Sequence, residues 1–188
     1  AAANICDEAV DLAAGGTEAR YTCNGVIDTG LAPRSIMEAL LSGMAGALTW
    51  PAGLWTLHVG AYETPAVSLN EDDLAGPLQV RAKVPRQDLY NAIKGTFVDP
   101  EQDWQPTDFP AITNATYAAQ DGAQIFRDVA FPVTTSSATA QRLAKMIVEK
   151  SRQGITVTAP FKLSAFKVSA WDNVMLSIDA MGWTDKVF

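Results

Sequence analysis

The chain has 188 residues, 48% of them hydrophobic, with a formal charge of −7 at pH 7. That much apolar material fills one sizeable core or two small ones, which excludes a disordered or low-complexity chain. No run of about 18 apolar residues offers a membrane span, and 21 acidic against 14 basic residues argue against a surface made to grip nucleic acid, because phosphate is held by Lys and Arg.

Ile5, Ala9, Leu12 and Ala13 stand at helical spacing ahead of Gly15-Gly16, so a short first helix is expected there. A strand is expected over residues 18–27, with a bulge at Asn24-Gly25. The stretch 20–57 then organises the first half of the chain. Ile36, Met37, Leu40, Leu41 and Met44 fall within one arc of a helix, which predicts a buried face. Pro33 fits the first helical position, and Gly43 and Gly46 favour a stop. A hairpin follows, with Leu48 and Trp50 leading into Pro51-Ala52-Gly53 and residues 54–59 returning.

Thr64-Pro65 breaks the pattern, and a boundary is placed between Glu63 and Leu69. Asn70 is expected to cap a single turn through Glu71, Asp72 and Asp73, whose charges suit the positive end of a helix dipole. A metal site is the weaker reading of that cluster, because carboxylates adjacent on one turn point apart and no calcium-loop spacing follows. Leu78 to Val84 and Tyr90 to Val98 read as strands, the second with a bend at Gly95.

Residues 99–116 read as a long loop containing Pro100, Pro106 and Pro110 with Trp104 and Phe109. Two readings of its aromatics stay open: Trp104 closes the end of a barrel, or Trp104 and Phe109 anchor a neighbouring subunit. A turn at Asp121-Gly122 and a strand over residues 125–133 come next. Ser136 or Ser137 caps the clearest helix, with Ala140, Leu143, Ala144, Ile147 and Val148 on one face and Arg142, Lys145, Glu149 and Arg152 opposite. Strands are expected at 155–161, 163–168 and 174–178. The fold class expected is α+β: a small helix-plus-hairpin domain over residues 1–68, then over 69–188 a small β-barrel carrying one surface helix.

Little in the chain points to reaction chemistry. His58 is the only histidine, and it sits in the hairpin as a solvated or cross-strand residue. Gly15-Gly16 and Gly43-x-x-Gly46 lack the Lys and Ser/Thr of a phosphate loop. No nucleophile elbow is present. Cys6 and Cys23, without CxxC spacing, are expected as buried free thiols. No catalytic, cofactor or metal residue is assigned. The chain opens inside a helical pattern without an initiator Met and closes on Trp183 to Phe188, the opening of a strand. Those ends suggest an internal fragment, with the second domain cut at its C-terminal side.

The strings RYTCNGVIDT, EALLSGMAG, NEDDLAGPLQV, DLYNAIKGTFVDPEQDWQPTDFP and TTSSATAQRLAK run nearly end to end. Together they resemble the central tail hub, or tip attachment, protein of lambda-like tailed phages. The resemblance implies a structural role in the virion, at the tail tip, after synthesis in the host bacterial cytoplasm. It implies a homotrimeric hub that closes the tail tube and borders the DNA-ejection channel, with other tail tip and tail tube proteins as partners. It also implies that residues 69–188 form a barrel like that of tail-tube subunits, and it favours the subunit-contact reading of Trp104 and Phe109. Acidic lining would suit a channel through which DNA slides without sticking. Host attachment belongs to regions of such proteins beyond this chain. Where the family commonly has a Pro-Gly-Asp type turn, this chain has Ala170-Trp171-Asp172-Asn173, so no geometry is carried over there. Two alternatives from other classes are a tail-associated cell-wall hydrolase and a receptor- or carbohydrate-binding module.

Overall fold

The computed structural model describes residues 2–65, 67–85 and 88–188. Helix α1 (Ala2–Cys6) is a single turn and a half, followed by strands β1 (Ala9–Asp11) and β2 (Thr17–Ala19). These strands pair antiparallel, Ala9 opposite Ala19, around Gly15 and Gly16, both at positive φ (89° and 86°). The helix expected through Ala13 therefore ends at Cys6. Longer-range pairing overrides local periodicity here: Arg20 N–H donates to the Glu8 carbonyl and Tyr21 N–H to the Cys6 carbonyl, and the Arg20 guanidinium meets the Glu8 carboxylate at 2.7 Å. The strand expected over 18–27 shortens to β2, and Asn24 N–H instead reaches the carbonyl of Val133.

Helix α2 (Pro33–Ser42) has Pro33 at its first position, and Gly43 N–H closes it onto the Leu40 and Leu41 carbonyls. Its apolar face is only partly covered: Ile36, Leu40, Leu41 and Met44 are half-buried and Met37 is exposed. The hairpin follows as β3 (Ala47–Thr49) and β4 (Thr56–His58), with Leu48 opposite Leu57 and a one-turn 3-10 segment, Pro51–Gly53, at its end. Strand β5 (Val67–Asn70) runs into the acidic turn Glu71–Asp73. The Asn70 side chain accepts from Asp72 N–H at 2.9 Å, and the Asp73 carboxylate accepts from Asn70 N–H at 3.0 Å. The acidic cluster is thus a capping box, as its spacing predicts. The Ser164 hydroxyl and the Asn70 N–H hold the Asp73 carboxyl below its ordinary range.

Strands β6 (Gln79–Arg81), β7 (Ala92–Asp99), β8 (Gln105–Asp108) and β9 (Ile112–Thr113) precede helix α3 (Ala115–Asp121). Asn114 caps α3 through its side chain, and Gly122 ends it in the left-handed region. The stretch 99–116, expected as a long loop, is instead broken into a 3-10 turn, the two short strands β8 and β9 and the start of α3. Strand β10 (Phe126–Phe131) stops before Pro132, and α4 (Ser137–Arg152) starts with the Ser136 hydroxyl accepting from Thr139 N–H. Ala140, Leu143, Ala144 and Val148 of α4 are fully buried. Strands β11 (Thr156–Thr158), β12 (Val174–Ile178) and β13 (Trp183–Val187) complete the chain. The strand expected at 163–168 is a 3-10 turn, Leu163–Lys167.

Strand β7 is the hub of the largest sheet: parallel to β10, antiparallel to β8 and β9. A second sheet has the order β13-β12-β5, with β5 and β12 parallel, and β6 pairs antiparallel with β11. The class is α+β, as expected. Among the described residues no sheet closes into a barrel, because the strands are short and the sheets of two to four strands stay separate.

Two hydrophobic clusters organise these layers. The first gathers Tyr21 and Val59 with Ile93, Phe97, Phe109, Phe131 and the buried face of α4. The second gathers Leu69, Leu176 and Ile178, with Val157, Phe161, Trp183 and Phe188 packed around them. The first cluster thus draws on both sides of the 68/69 division.

Candidate subunit-contact site

Strands β7 and β8 pair from Thr96 opposite Asp108 to Asp99 opposite Gln105. The chain turns between them through a 3-10 segment, Pro100–Gln102, whose Glu101 N–H donates to the Asp99 carboxylate at 2.9 Å. Asp103 and Trp104 then both take left-handed backbone angles, φ 55° and 60°. A bulky residue there is strained, and strain of that kind persists where surrounding contacts or function require it. Trp104 N–H closes the turn on the Asp99 carbonyl at 3.0 Å, and the indole projects with 58% of its surface exposed.

Phe109 sits at the other end of β8 and is only 3% exposed. Its N–H donates to the Gly95 carbonyl at 3.1 Å, and its ring lies 5.8 Å from that of Phe131. The two aromatics assigned to one contact therefore face opposite ways: Trp104 outward, Phe109 into the first cluster. Phe109 anchors the hairpin that presents Trp104.

A polar network ties the start of β7 to α3 and to the end of α4. The Asn91 side chain, fully buried, donates to the Asp121 carboxylate and the Ala123 carbonyl and accepts from Ile125 N–H, each at 2.8 Å. Arg152 grips Asp121 with both terminal nitrogens and lies over the Tyr117 ring at 4.4 Å. The hydrogen bonds that Arg152 donates to the Asp121 carboxylate raise its guanidinium above the ordinary arginine value.

The remaining sequence candidates have local partners. His58 Nε2 lies 2.9 Å from the Thr49 hydroxyl across the hairpin, and its ring stacks on Trp171 at 6.3 Å, which Lys150 covers from 5.0 Å. The Ala170–Asn173 turn, whose geometry was left open, is closed by Ser169 N–H on the Asp172 carboxylate, with Trp171 at φ 76°. Both cysteines are free thiols, but Cys23 is exposed and Cys6 half-buried rather than both in the core.

Two surfaces were missed in the sequence. Trp50 and Trp55 stack face to face at the end of the β3–β4 hairpin, 5.4 Å apart and 9° from coplanar, both mostly exposed. An apolar groove of about 570 Å³ opens over the second cluster, with Leu163 and Phe166 on its wall. The available signal for the first was charge: residues 39–62 contain no Asp, Glu, Lys or Arg.

The relatives of this α+β chain are phage tail and baseplate proteins. The chain belongs to the family described as "Putative phage tail protein", which matches residues 32–185. It is similar to the baseplate hub protein pb3 of Escherichia phage T5, 24% identical over 166 residues, covering 88% of this chain and 17% of that protein. A chain from the virion of a native gene transfer agent particle has a TM-score of 0.65 at 17% identity, covering 89% of this chain and 37% of that one. A 43 kDa tail protein of prophage MuSo2 from Shewanella oneidensis reaches 0.46 at 14% identity, covering 86% and 47% respectively. The chain thus spans under one fifth of its curated relative and under half of each solved chain. The gene transfer agent likeness establishes the fold; the role must be argued separately. Among the described residues no helix is long and apolar enough to cross a membrane.

Proposed function

We propose that this chain is part of a hub that closes a phage tail tube at its tip, with copies arranged as a homotrimer around the DNA-ejection channel. The role is mechanical, and no residue of the chain carries a reaction. A cyclic assembly needs one surface of each copy to meet a different surface on the next. The observation that carries this reading is Trp104, a large aromatic held outward in a strained backbone at the tip of a hairpin whose base is buried. Such an arrangement spends strain to present a side chain, and aromatics dominate subunit contacts. Trp104 is the contact, and Phe109 fixes the hairpin behind it. Part of the acidic surplus lines the channel.

The units of the hub follow the two clusters rather than a single cut in sequence. Tyr21 and Val59 belong with the β7 sheet and α4, while Leu69 belongs with β12. A tube-like barrel is then completed from the open edges of the β13-β12-β5 and β6-β11 sheets within the longer parent protein. Attachment to the host is a property of that parent.

The test is Trp104→Ala in the parent phage, with tails counted by electron microscopy and folding checked by circular dichroism. Loss of assembled tails from a folded variant supports the contact; normal tails remove it. The hydrolase alternative predicts clearing of peptidoglycan in a zymogram. The sugar-binding alternative is disfavoured by the Trp50–Trp55 pair, whose loop supplies Pro51, Ala52, Gly53 and Leu54 where a sugar site needs polar partners.

A further inference from the structure

Between Glu38 and Glu63 the chain carries no Asp, Glu, Lys or Arg, the longest such run in its sequence. The β3–β4 hairpin lies inside that run. At its apex the stacked indoles of Trp50 and Trp55 are 64% and 68% exposed, and Leu54 is 72% exposed. Ala52 and Gly53 both take positive φ, which turns the chain sharply and brings the two indoles together. A Cβ built on Gly53 meets nothing within 4 Å, so the apex projects free of its own chain. Three large apolar side chains held out in this way are costly in water unless another phase receives them.

Which phase that is follows from charge, reach and what stands at the hairpin's base. A protein contact surrounds its aromatic anchor with a polar rim, whereas the polar side chains nearest this apex, Thr49 and His58, are spent on each other, with His58 Nε2 2.9 Å from the Thr49 hydroxyl. The apex therefore enters an apolar medium without stripping water from a charge. Its backbone is partly prepared for that: Pro51 has no N–H, and Leu54 N–H donates to the Pro51 carbonyl at 3.0 Å. His58 follows Trp55 by three residues of extended chain, about 10 Å. Segments that lie in a bilayer interface sink by about 5–10 Å, so the reach matches. Beside His58 stand Trp171, its ring 6.3 Å away, and the exposed Lys150, whose ammonium lies 5.0 Å over that ring. An indole and a long-stemmed cation are the side chains that settle at the headgroup level.

We infer that the Trp50–Trp55 apex inserts into the surface of a lipid bilayer, with Trp50, Leu54 and Trp55 at the acyl boundary and Lys150 among the headgroup phosphates. The formal charge of −7 excludes general attraction to an anionic surface, so the partner is a zwitterionic lipid face entered by apolar insertion. The chain then rests on the bilayer without spanning it. The inference stands apart from the ring reading, because it needs neither Trp104 nor a second copy.

The experiment mixes the whole chain with phosphatidylcholine vesicles. Binding is read by flotation, and insertion by quenching of tryptophan emission with lipids brominated along their acyl chains. The chain is expected to float with the vesicles, with its emission shifted to the blue and quenched. Trp50→Ser with Trp55→Ser should weaken binding by about tenfold or more. Leu54→Asp, which keeps both indoles and places a charge at the apex, should do the same. Both variants change exposed side chains, so their urea unfolding midpoints should stay at that of the parent chain. Trp104→Ala should bind as the parent does. High salt should leave binding intact, and added phosphatidylserine should not strengthen it. Binding that survives both apex variants overturns the inference, as does binding abolished by salt or the absence of quenching at every lipid concentration at which vesicles stay dispersed. Apex variants that lose self-association in lipid-free buffer while vesicle binding is unchanged make the apex a protein contact and overturn it as well.

Discussion

The carboxylate of Glu18 accepts from the guanidinium of Arg142 at 3.0 Å, across 124 residues of sequence. The same carboxylate accepts from the hydroxyls of Ser136 (2.8 Å) and Thr139 (3.1 Å), at the start of α4. Strand β2 is thereby pinned to the N-terminal turn of the helix that fills the first cluster. Both side chains are about one-fifth exposed, so the pair is better shielded than a surface bridge.

Glu18→Gln should therefore destabilise the chain by about 1.5–3 kcal/mol, the range for hydrogen bonds to a charged group. The measurement is urea unfolding in a double-mutant cycle with Arg142→Met. A coupling above about 0.5 kcal/mol is expected, since the two sites share a network. A coupling near zero would mean that β2 and α4 are held by packing alone.

How much of this was legible follows from range. Helix α4 was, because its cap at Ser136 and its buried stripe Ala140-Leu143-Ala144-Val148 are both local patterns. The capping box at Asn70 was legible for the same reason. The parallel pairing of β7 with β10 was not, since Ala92 meets Phe126 through a partner 34 residues away that leaves no periodic trace. The boundary placed between Glu63 and Leu69 follows the local signal of Thr64-Pro65 alone, and such a signal carries no trace of Tyr21, which donates its hydroxyl to the Gly60 carbonyl and contacts Met146 far along the chain. Phe109 misled for a related reason. Its neighbours Pro106 and Pro110 read as loop, whereas Pro106 stands in β8 opposite Val98. The exposure of Trp104 was legible from an aromatic placed in a polar turn; the groove was not, because its wall combines residues from Leu69 to Phe188.

Gly95 supplies a second prediction. It faces Val129 across the parallel β7–β10 pair, and a Cβ built there would stand 1.7 Å from the Val129 carbonyl oxygen. No flexible side chain can yield, so the strands themselves would have to part. Gly95→Ala should cost more than about 3 kcal/mol or abolish folding. Gly122→Ala is the control, with φ 76° but nothing within 4 Å of its Cβ. It should cost only about 1–2 kcal/mol, the backbone penalty alone. Similar losses in the two variants, read from chemical unfolding, would contradict the close approach.

Tyr21 should make the chain sensitive to alkali. Burial pushes its hydroxyl above the ordinary tyrosine value of 10.0, against smaller opposing effects from Arg20 and Arg142. A neutral hydroxyl is thus favoured in the folded state. Its contribution is complete below about pH 10 and is lost as pH rises through the folded value. Tyr21→Phe should cost about 1 kcal/mol at neutral pH, from the bond to the Gly60 carbonyl, and should flatten the loss of stability above about pH 10. The flattening is partial, because Tyr117 is also raised by its hydrogen bond to Glu149. Unfolding midpoints taken across this range would decide it, and an unchanged alkaline slope in Tyr21→Phe would count against the buried hydroxyl.

Trp104 and Phe109, at opposite ends of β8, should separate assembly from folding. Phe109 is buried against Phe131 on the first cluster, so Phe109→Ala opens a cavity and should cost about 3–5 kcal/mol. Assembly would fail in that variant because the chain fails. Trp104 touches solvent over most of its surface, and removing its indole should change stability by less than about 1 kcal/mol. Any assembly defect in Trp104→Ala is then a defect of contact. Phe109→Leu sharpens the comparison: it keeps most of the buried volume, so it should recover much of the stability and, with it, assembly. If instead Phe109→Leu folds but does not assemble, the Phe109 ring has a role in the contact that its burial does not account for.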